Sequence, residues 1–334
     1  MTARAEEATV TFLAVGDIML SRGVAQRINN ANDPLLPFRQ LERLLGSTDF
    51  NFGNLETPVS GKDEVRGYKK IFNARVRDIE GLTAYNFRIV NLANNHAFDQ
   101  GLAGLKATRK YLDERGITYL GAGDNLEEAW RPKVITYDLS IGFIGASYAS
   151  FNDGGVARHD YIARIEDLDH LKKAISELKS QSNFIVVTMH AGTEFKDKAD
   201  PRRVLDQAQI DFAHAAIDYG ADLVIGAHPH WIQGLETYSG KYIFYSLGNF
   251  IFDMHDPIAN QGLVLKITLR GRKGPPASGS PSNGQQRAES TTRIESIECL
   301  PVVIEHSSTP RLASEEETEQ ILKRLNLPRK LSQP

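Results

Sequence analysis

The chain has 334 residues, of which 41% are hydrophobic and 24% charged, and its net charge is −3 at pH 7. This size allows one large domain or two small ones with a sizeable core, in a composition typical of soluble globular proteins. The near-neutral charge gives no reason to expect nucleic acid as a partner, and the single cysteine, Cys299, excludes an internal disulfide framework and a cysteine-rich zinc site.

In chain order, a first strand is expected at 9–16, "TVTFLAVG", stopping at a Gly-Asp turn. Residues 36–46 place Phe38, Leu41, Leu44 and Leu45 at helical spacing and end on Gly46, which predicts a helix. A short strand, "DFNFGN" (49–54), precedes helix 76–85, strand 87–93 and helix 101–116. "ITYLGAG" (117–123) and "NLEEAW" (125–130) make another strand and helix. Strands 133–138 and 141–147, helix 166–180, strand 184–190, helix 203–219 and strand 222–228 complete the alternation. Such a series predicts an α/β sandwich with largely parallel strands covered by helices.

From about residue 230 only strands follow: "GLETY" (234–238), "KYIFYSLGNF" (241–250), "GLVLKITLR" (262–270) and "TRIESIECLPVVIE" (292–305). They are expected to form an antiparallel edge of the same domain. Residues 271–292 are rich in Gly, Pro, Ser and Gln and predict a disordered loop at a hairpin tip. A last helix is expected at 314–326. The expected organisation is a single domain over 9–305 with a flexible insertion at 271–292, and then a C-terminal helix and tail over 306–334. No run approaches the roughly 20 apolar residues of a membrane-spanning helix. "MTARAEEATV" lacks the apolar core of a signal peptide. No membrane anchor is expected in this chain, and the cytoplasm is the expected location.

The chemistry-bearing residues fall where these strands end. Asp17 follows the first strand in "VGDIM"; Asn54 and Glu56 follow the second in "FGNLET". Asn94, Asn95 and His96 follow the next in "LANNHAFD", with Asp99 three residues on. His190 ends "VVTM" and precedes Glu194; His228 and His230 flank Pro229 in "VIGAHPH"; "YSLGNF" adds Ser246 and Asn249. The carboxyl edge of an open α/β sheet is where loops converge on ligands. Imidazoles, carboxylates and an amide oxygen suit a divalent ion such as zinc, manganese or iron(II), in an open site rather than a structural clamp. Taken singly, each has an ordinary alternative: Asp17 a turn or cap, the asparagines backbone satisfaction, the histidines loop positions. Independent turn chemistry would not be expected to place ligand types at each strand exit in turn. His159, His170, His214 and His306 fall in helices or polar loops and are expected to be solvated or structural. His255 could line the pocket or not. Lys69, Lys70 and Arg75 could meet an anionic substrate, although a solvated face suits them better.

The ordered motifs GD-x-M, GNLE, NNH-x-x-D, H-x-G-x-E, G-x-H-P-H and SLGNF resemble the CapA-type poly-gamma-glutamate capsule synthesis family, a branch of the calcineurin-like metallophosphoesterase superfamily. The resemblance implies a four-layered α/β sandwich with a two-metal centre at the strand ends. It implies that Asp17 and His230 are ligands of a first metal, Asn95, His190 and His228 ligands of a second, and Glu56 the bridging carboxylate. It makes His96 the proton donor, while Glu194 or Asp99 would orient a metal-bound histidine, and Asn54 and Asn249 would stand behind the ligands or meet substrate. Met19 departs from the superfamily pattern, standing where a histidine ligand would be.

The expected function is therefore that of a metal-dependent hydrolase carrying one or two divalent ions (Mn, Zn or Fe). A metal-activated hydroxide would attack a phosphoester or amide-like bond of an anionic small molecule or polyglutamate. The alternative is a non-catalytic protein that binds poly-gamma-glutamate and assists capsule synthesis or export. A third class, an accessory enzyme working on a peptide or nucleotide intermediate, fits the lack of an envelope signal.

Overall fold

The structure, a computed structural model, describes residues 6–62, 70–148, 160–194, 205–273 and 292–334. The chain begins with β1 (Glu7–Ile18), which pairs in parallel with β2 (Phe50–Leu55); β3 (Phe87–Asn91) and β4 (Thr118–Leu120) continue this parallel run. It then builds a second sheet. In that sheet β5 (Lys133–Thr136) lies antiparallel at the edge of β6 (Ser140–Ser147), and β7 (Phe184–His190) and β8 (Leu223–Ala227) run parallel. β9 (Leu235–Tyr238) and β10 (Lys241–Phe244) close it, in the order β5-β6-β7-β8-β10-β9.

The chain next returns to the first sheet. There β11 (Asn249–Ile251) pairs with the end of β1, and β12 (Gln261–Arg272) pairs antiparallel with its beginning. β13 (Arg293–Glu305), β14 (Thr309–Leu312) and β15 (Lys330–Leu331) extend this edge.

Side-chain alternation explains the layers. In β1, Val10, Phe12 and Ala14 face the second sheet, meeting Phe143, Phe184 and Ile225. Leu13 and Val15 point the other way, as a period of two requires. That outer face is covered by α1 (Arg22–Ala31), α2 (Glu42–Leu45), α3 (Glu80–Ala84) and α4 (Gly101–Asp113), through Val24, Ile28, Leu45, Leu82, Leu105 and Leu112. The second sheet turns Ile185, Val187 and Val224 outward against α5 (Leu126–Ala129), α6 (Leu168–Leu178) and α7 (Gln207–Tyr219). The result is a four-layered sandwich, helices–sheet–sheet–helices. α8 (Glu315–Leu325) adds Ile321, Leu322 and Leu325 to the core between the sheets.

Several expectations need correcting. α1 is absent from the sequence-based reading: it is rich in Asn and Arg, but buries Val24, Ala25 and Ile28 at helical spacing. The helix expected at 36–46 divides into a 3₁₀ turn, Leu36–Leu41, with Pro37 near its start, and the short α2. "KYIFYSLGNF" is not one strand. It breaks after Phe244 and changes sheets, turning through Gly248 at φ 67°. Likewise the C-terminal strands do not form one antiparallel edge: β9 borders the second sheet, whereas β12 to β14 extend the first, and β14 is an addition to the expected strands. Residues 274–291 of the expected loop, residues 203 and 204 of the expected helix 203–219, Lys69 and His159 lie outside the described residues. Among the described residues no helix is long and apolar enough to cross a membrane.

Candidate metal centre

The two sheets bring their strand ends to one place. Asn249, Asp17, Asn54 and Asn91 stand in register across β11, β1, β2 and β3. In the facing sheet, Ser147, His190 and Ala227 stand in register across β6, β7 and β8. Asn249 comes beside Asp17 only because residue 16 is glycine: a Cβ there would lie 1.8 Å from the Gly248 carbonyl oxygen. The turn after β8 is unusual. His228 has φ 105° and His230 φ 66°, values that cost an L-residue of order 1–3 kcal/mol and persist where surrounding structure enforces them.

Asp17, Glu56 and His190, all buried, bring ligand atoms within 4.8 Å of one another. The other expected ligands gather around this trio. His230 Nδ1 is 3.6 Å from Asp17 Oδ2, and its Nε2 is 3.9 Å from Glu56 Oε1. His190 Nε2 lies 3.9 Å from the same Glu56 oxygen, 2.8 Å from Asn95 Oδ1 and 3.1 Å from His228 Nδ1. Both oxygens of Glu56 are buried, and among the described residues neither has a hydrogen-bond partner. A buried carboxylate ordinarily has its lone pairs filled, and leaving one unmet costs about 1–3 kcal/mol. A cation held among these donors would supply Glu56 with the partner it lacks.

Neighbouring side chains orient the ligands. Asn54 Nδ2 donates to Asp17 Oδ1 at 2.8 Å and meets His190 Nδ1 at 3.0 Å. Asn91 Nδ2 donates in turn to Asn54 Oδ1. Asn249 Nδ2 donates to the Ala259 carbonyl at 2.8 Å, so its Oδ1, 2.9 Å from His230, accepts the Nδ1 proton. That leaves the Nε2 lone pair of His230 on the side of Glu56. Asn94 ties the β3 exit to β2 through the Leu55 carbonyl, and Ser246 Oγ braces the turn before β11 by accepting from Gly248 N–H.

The electrostatics follow from burial. Desolvation and the repulsion of His228, His230 and His96 hold His190 well below the usual imidazole range. Desolvation, with His230 and His96, does the same to His228. Both rings are therefore neutral, each with one unprotonated nitrogen. Burial lowers His230 too, but the charges of Asp17 and Glu194 and the Asn249 oxygen together outweigh it and raise it. Burial, and then Asp17, push Glu56 well above the carboxylate range. A cation would reverse that sign.

His96 borders the centre, its Nε2 3.7 Å from Glu56 Oε1. The structure corrects the part expected of Asp99: its Oδ2 holds His96 Nδ1 at 2.7 Å, rather than a ligand-type histidine. Glu194 does approach one, His228 Nε2, but at 3.7 Å, too far for a hydrogen bond. Phe72 escapes the sequence-based reading. Its ring stacks on His96 with centroids 3.8 Å apart, and its N–H donates to the same Asp99 oxygen at 2.6 Å. Arg22, paired with Asp253, lies over the Phe72 ring at 4.7 Å. Tyr148 and Phe252 pack on the rings of His228 and His230, each at 4.6 Å. Phe72 sits in a stretch with neither helical nor strand periodicity, so only its packing could have revealed it.

Residues outside the centre also find their places. Met19 is buried in the outer core, and its sulfur accepts from Ser21 N–H at 3.1 Å. Arg75 is bound to Asp78 and Asn29, and Lys70 is exposed. His255 is exposed, with Nδ1 3.3 Å from Ser307 Oγ. His170 stacks on Trp130, His214 stacks on Tyr238 and meets Glu236, and His306 is exposed.

Several known proteins are similar to this chain. It is 32% identical over 282 residues to the capsule biosynthesis protein CapA of Bacillus anthracis, covering 79% of this chain and 65% of that protein. It thus spans just under two thirds of that relative's length. It is 31% identical over 300 residues to the PGA biosynthesis protein CapA of Bacillus subtilis, covering 88% of this chain and 73% of the relative. A probable polyglutamine synthesis accessory protein of Mycobacterium tuberculosis is 26% identical, over 93% of this chain and 88% of its own. Among solved structures, the NAD nucleotidase of Haemophilus influenzae matches with a TM-score of 0.50 at 12% identity, covering 96% of this chain and 63% of that one. This is a likeness of fold alone. Residues 11–254, which contain every ligand-type residue described above, match the family described as bacterial capsule synthesis protein PGA_cap, and the chain belongs to that family.

Proposed function

We propose that this chain is a divalent-metal-dependent hydrolase acting on a phosphoester or amide-like bond of an acidic substrate, in the metabolism of poly-gamma-glutamate. One observation carries the reading: a fully buried Glu56 with both oxygens unpartnered, one of them 3.7–3.9 Å from three different imidazoles. Asp17, Glu56, Asn95, His190, His228 and His230 would hold the ion, a donor set suited to zinc, manganese or iron(II). Once bound, the ion supplies Lewis acidity at the scissile group.

The chain's own groups do the remainder. Asp99 accepts the Nδ1 proton of His96 and fixes its tautomer, and Phe72 holds the ring plane. Nε2, on the Glu56 side, can then carry the proton that a leaving oxygen or nitrogen needs. The names of the relatives, which speak of capsule, PGA and polyglutamine synthesis, support a glutamate-derived polymer or its fragment as substrate.

The test joins metal analysis of the purified protein to assays of phosphomonoesters, phosphodiesters and gamma-glutamyl amides. One class should be turned over, with His96→Ala reducing kcat about 10²–10⁴-fold while leaving bound metal unchanged. Met19 favours a second reading, a non-catalytic polyanion binder, because its sulfur is occupied by Ser21 N–H and offers no donor to the centre. Metal bound without turnover of any substrate class, together with retention of polyglutamate, would decide for that reading.

A further inference from the structure

Two of the imidazoles around Glu56 are backed by phenylalanine rings. His96 and His230 each bring Nε2 to Glu56 Oε1, at 3.7 and 3.9 Å. Phe72 stacks on His96 with centroids 3.8 Å apart, and Phe252 packs on His230 at 4.6 Å. The two phenylalanine rings meet each other edge to face at 6.0 Å, and both are buried. Together they form one wall along the two imidazoles.

Arg22 joins this wall to the β1 exit that carries Asp17. Its guanidinium lies 4.7 Å from the centre of the Phe72 ring and 5.6 Å from that of Phe252, both within cation–π range. Asp253, the neighbour of Phe252 in sequence, pins it. One carboxylate oxygen pairs with Arg22 Nη2, and the other accepts Gly23 N–H at 2.9 Å. Ser21 Oγ accepts Asn73 N–H at 3.1 Å, which docks the segment bearing Phe72 beside Arg22. Arg22 itself has φ 48°, a left-handed backbone that is uncommon for arginine and persists where surrounding contacts enforce it. An arginine that served only solubility would have no need of that conformation.

We propose that Arg22 is a positioning residue for the metal centre: pinned by Asp253, its guanidinium holds the Phe72–Phe252 wall against His96 and His230 and so keeps both Nε2 atoms on Glu56. It acts through the two rings, whose negative faces attract the cation. Its purpose rests on the reading of His96 as proton donor and His230 as metal ligand. The geometry belongs to the metal-free chain and needs no substrate.

NMR of the histidine rings in the metal-free full chain, at constant pH, tests it. The carbon-bound ring protons of His96 should be shifted upfield by the face of Phe72. Arg22→Met keeps the aliphatic stem and removes the cation. It should cancel more than half of that upfield shift and move the His230 signals. His170 and His214, stacked elsewhere on Trp130 and Tyr238, should stay in place. A residue that only anchored α1 would lower Tm and leave the His96 and His230 signals alone. Manganese affinity should also fall about 10–100-fold, the loss usual for groups that orient metal ligands. Arg22→Lys, which restores a cation over the rings but not the fork that Asp253 holds, should fall between the two. If Arg22→Met fails to fold, Asp253→Asn should produce the same losses by releasing the guanidinium. Unchanged His96 and His230 signals in folded Arg22→Met, or an equal displacement of His170 and His214, would overturn the proposal. Arg22→Lys no better than Arg22→Met would do so too. An unaltered chain that binds no manganese would count against the hydrolase reading instead, and the ring signals would still decide this one.

Discussion

Glu56→Gln separates a carboxylate built for a cation from one that merely fills space. Glu56 is 0% exposed and, among the described residues, has no hydrogen-bond partner on either oxygen. In metal-free protein, burial and Asp17 raise its pKa far above the ordinary 4.5, so the carboxyl tends to keep its proton and glutamine mimics that state. Metal-free Glu56→Gln should therefore lie within about 1 kcal/mol of the unaltered protein near pH 5. A raised carboxyl pKa contributes stability fully below 4.5, and this is lost as pH rises toward the folded-state value, so the variant should gain on the unaltered chain between pH 5 and 8.

Metal reverses the comparison. At a concentration about 100 times Kd the unaltered protein gains about 2.7 kcal/mol, and a variant binding 100-fold more weakly gains only about 0.4 kcal/mol. At about 2 °C per kcal/mol, the low end for large domains, the metal-induced rise in Tm should fall from about 5 °C to about 1 °C. Thermal melts in chelator, and then in manganese or zinc, measure both quantities. A metal-free Tm lowered by more than about 5 °C, or an equal metal-induced rise in both proteins, would refute the reasoning.

Four further outcomes are expected. Gly16→Ala should destabilise by about 1–3 kcal/mol or more and reduce metal uptake, since its Cβ would lie 1.8 Å from the Gly248 carbonyl oxygen and push Asn249 off the centre; chemical denaturation with metal analysis checks it. In chelator, His228→Gly should be more stable than His228→Ala by about 1 kcal/mol, because both delete the imidazole but only glycine accepts φ 105° without strain. Ser314→Ala should cost about 1 kcal/mol by opening the capping box of α8. The adjoining Glu317–Arg311 pair adds a pH dependence: with Glu317 lowered to about 2, its contribution is whole above 4.5 and disappears as pH falls through about 2, which acid titration followed by circular dichroism detects.

The strand ends and their ligand types were readable because both signals are local. Apolar residues run through β1, β7 and β8, and a glycine or polar residue marks where each strand stops. The residues named at those exits, Asp17, Glu56, Asn95, His96, His190, His228, His230 and Asn249, do gather in one region. Local signals fail where a segment's partner is distant. α1 escaped the sequence-based reading, and its small apolar stripe is covered by residues far along the chain, among them Phe250 and Phe252. Phe72 carries no periodicity at all, and its importance arises from a ring 24 positions later coming to lie on it.

What the sequence by itself determined is the alternation of strand and helix, the layer each apolar face seeks, and the supply of carboxylate, amide and imidazole at strand exits. Only the tertiary structure decided that "KYIFYSLGNF" divides between sheets, that Asp99 serves His96, that Met19 turns into the core, and that Glu56 is left with two unmet oxygens. Hydrophobic periodicity is written over a few neighbouring residues. Hydrogen-bond partners are settled when strands from opposite ends of the chain, such as β1 and β11, are brought side by side.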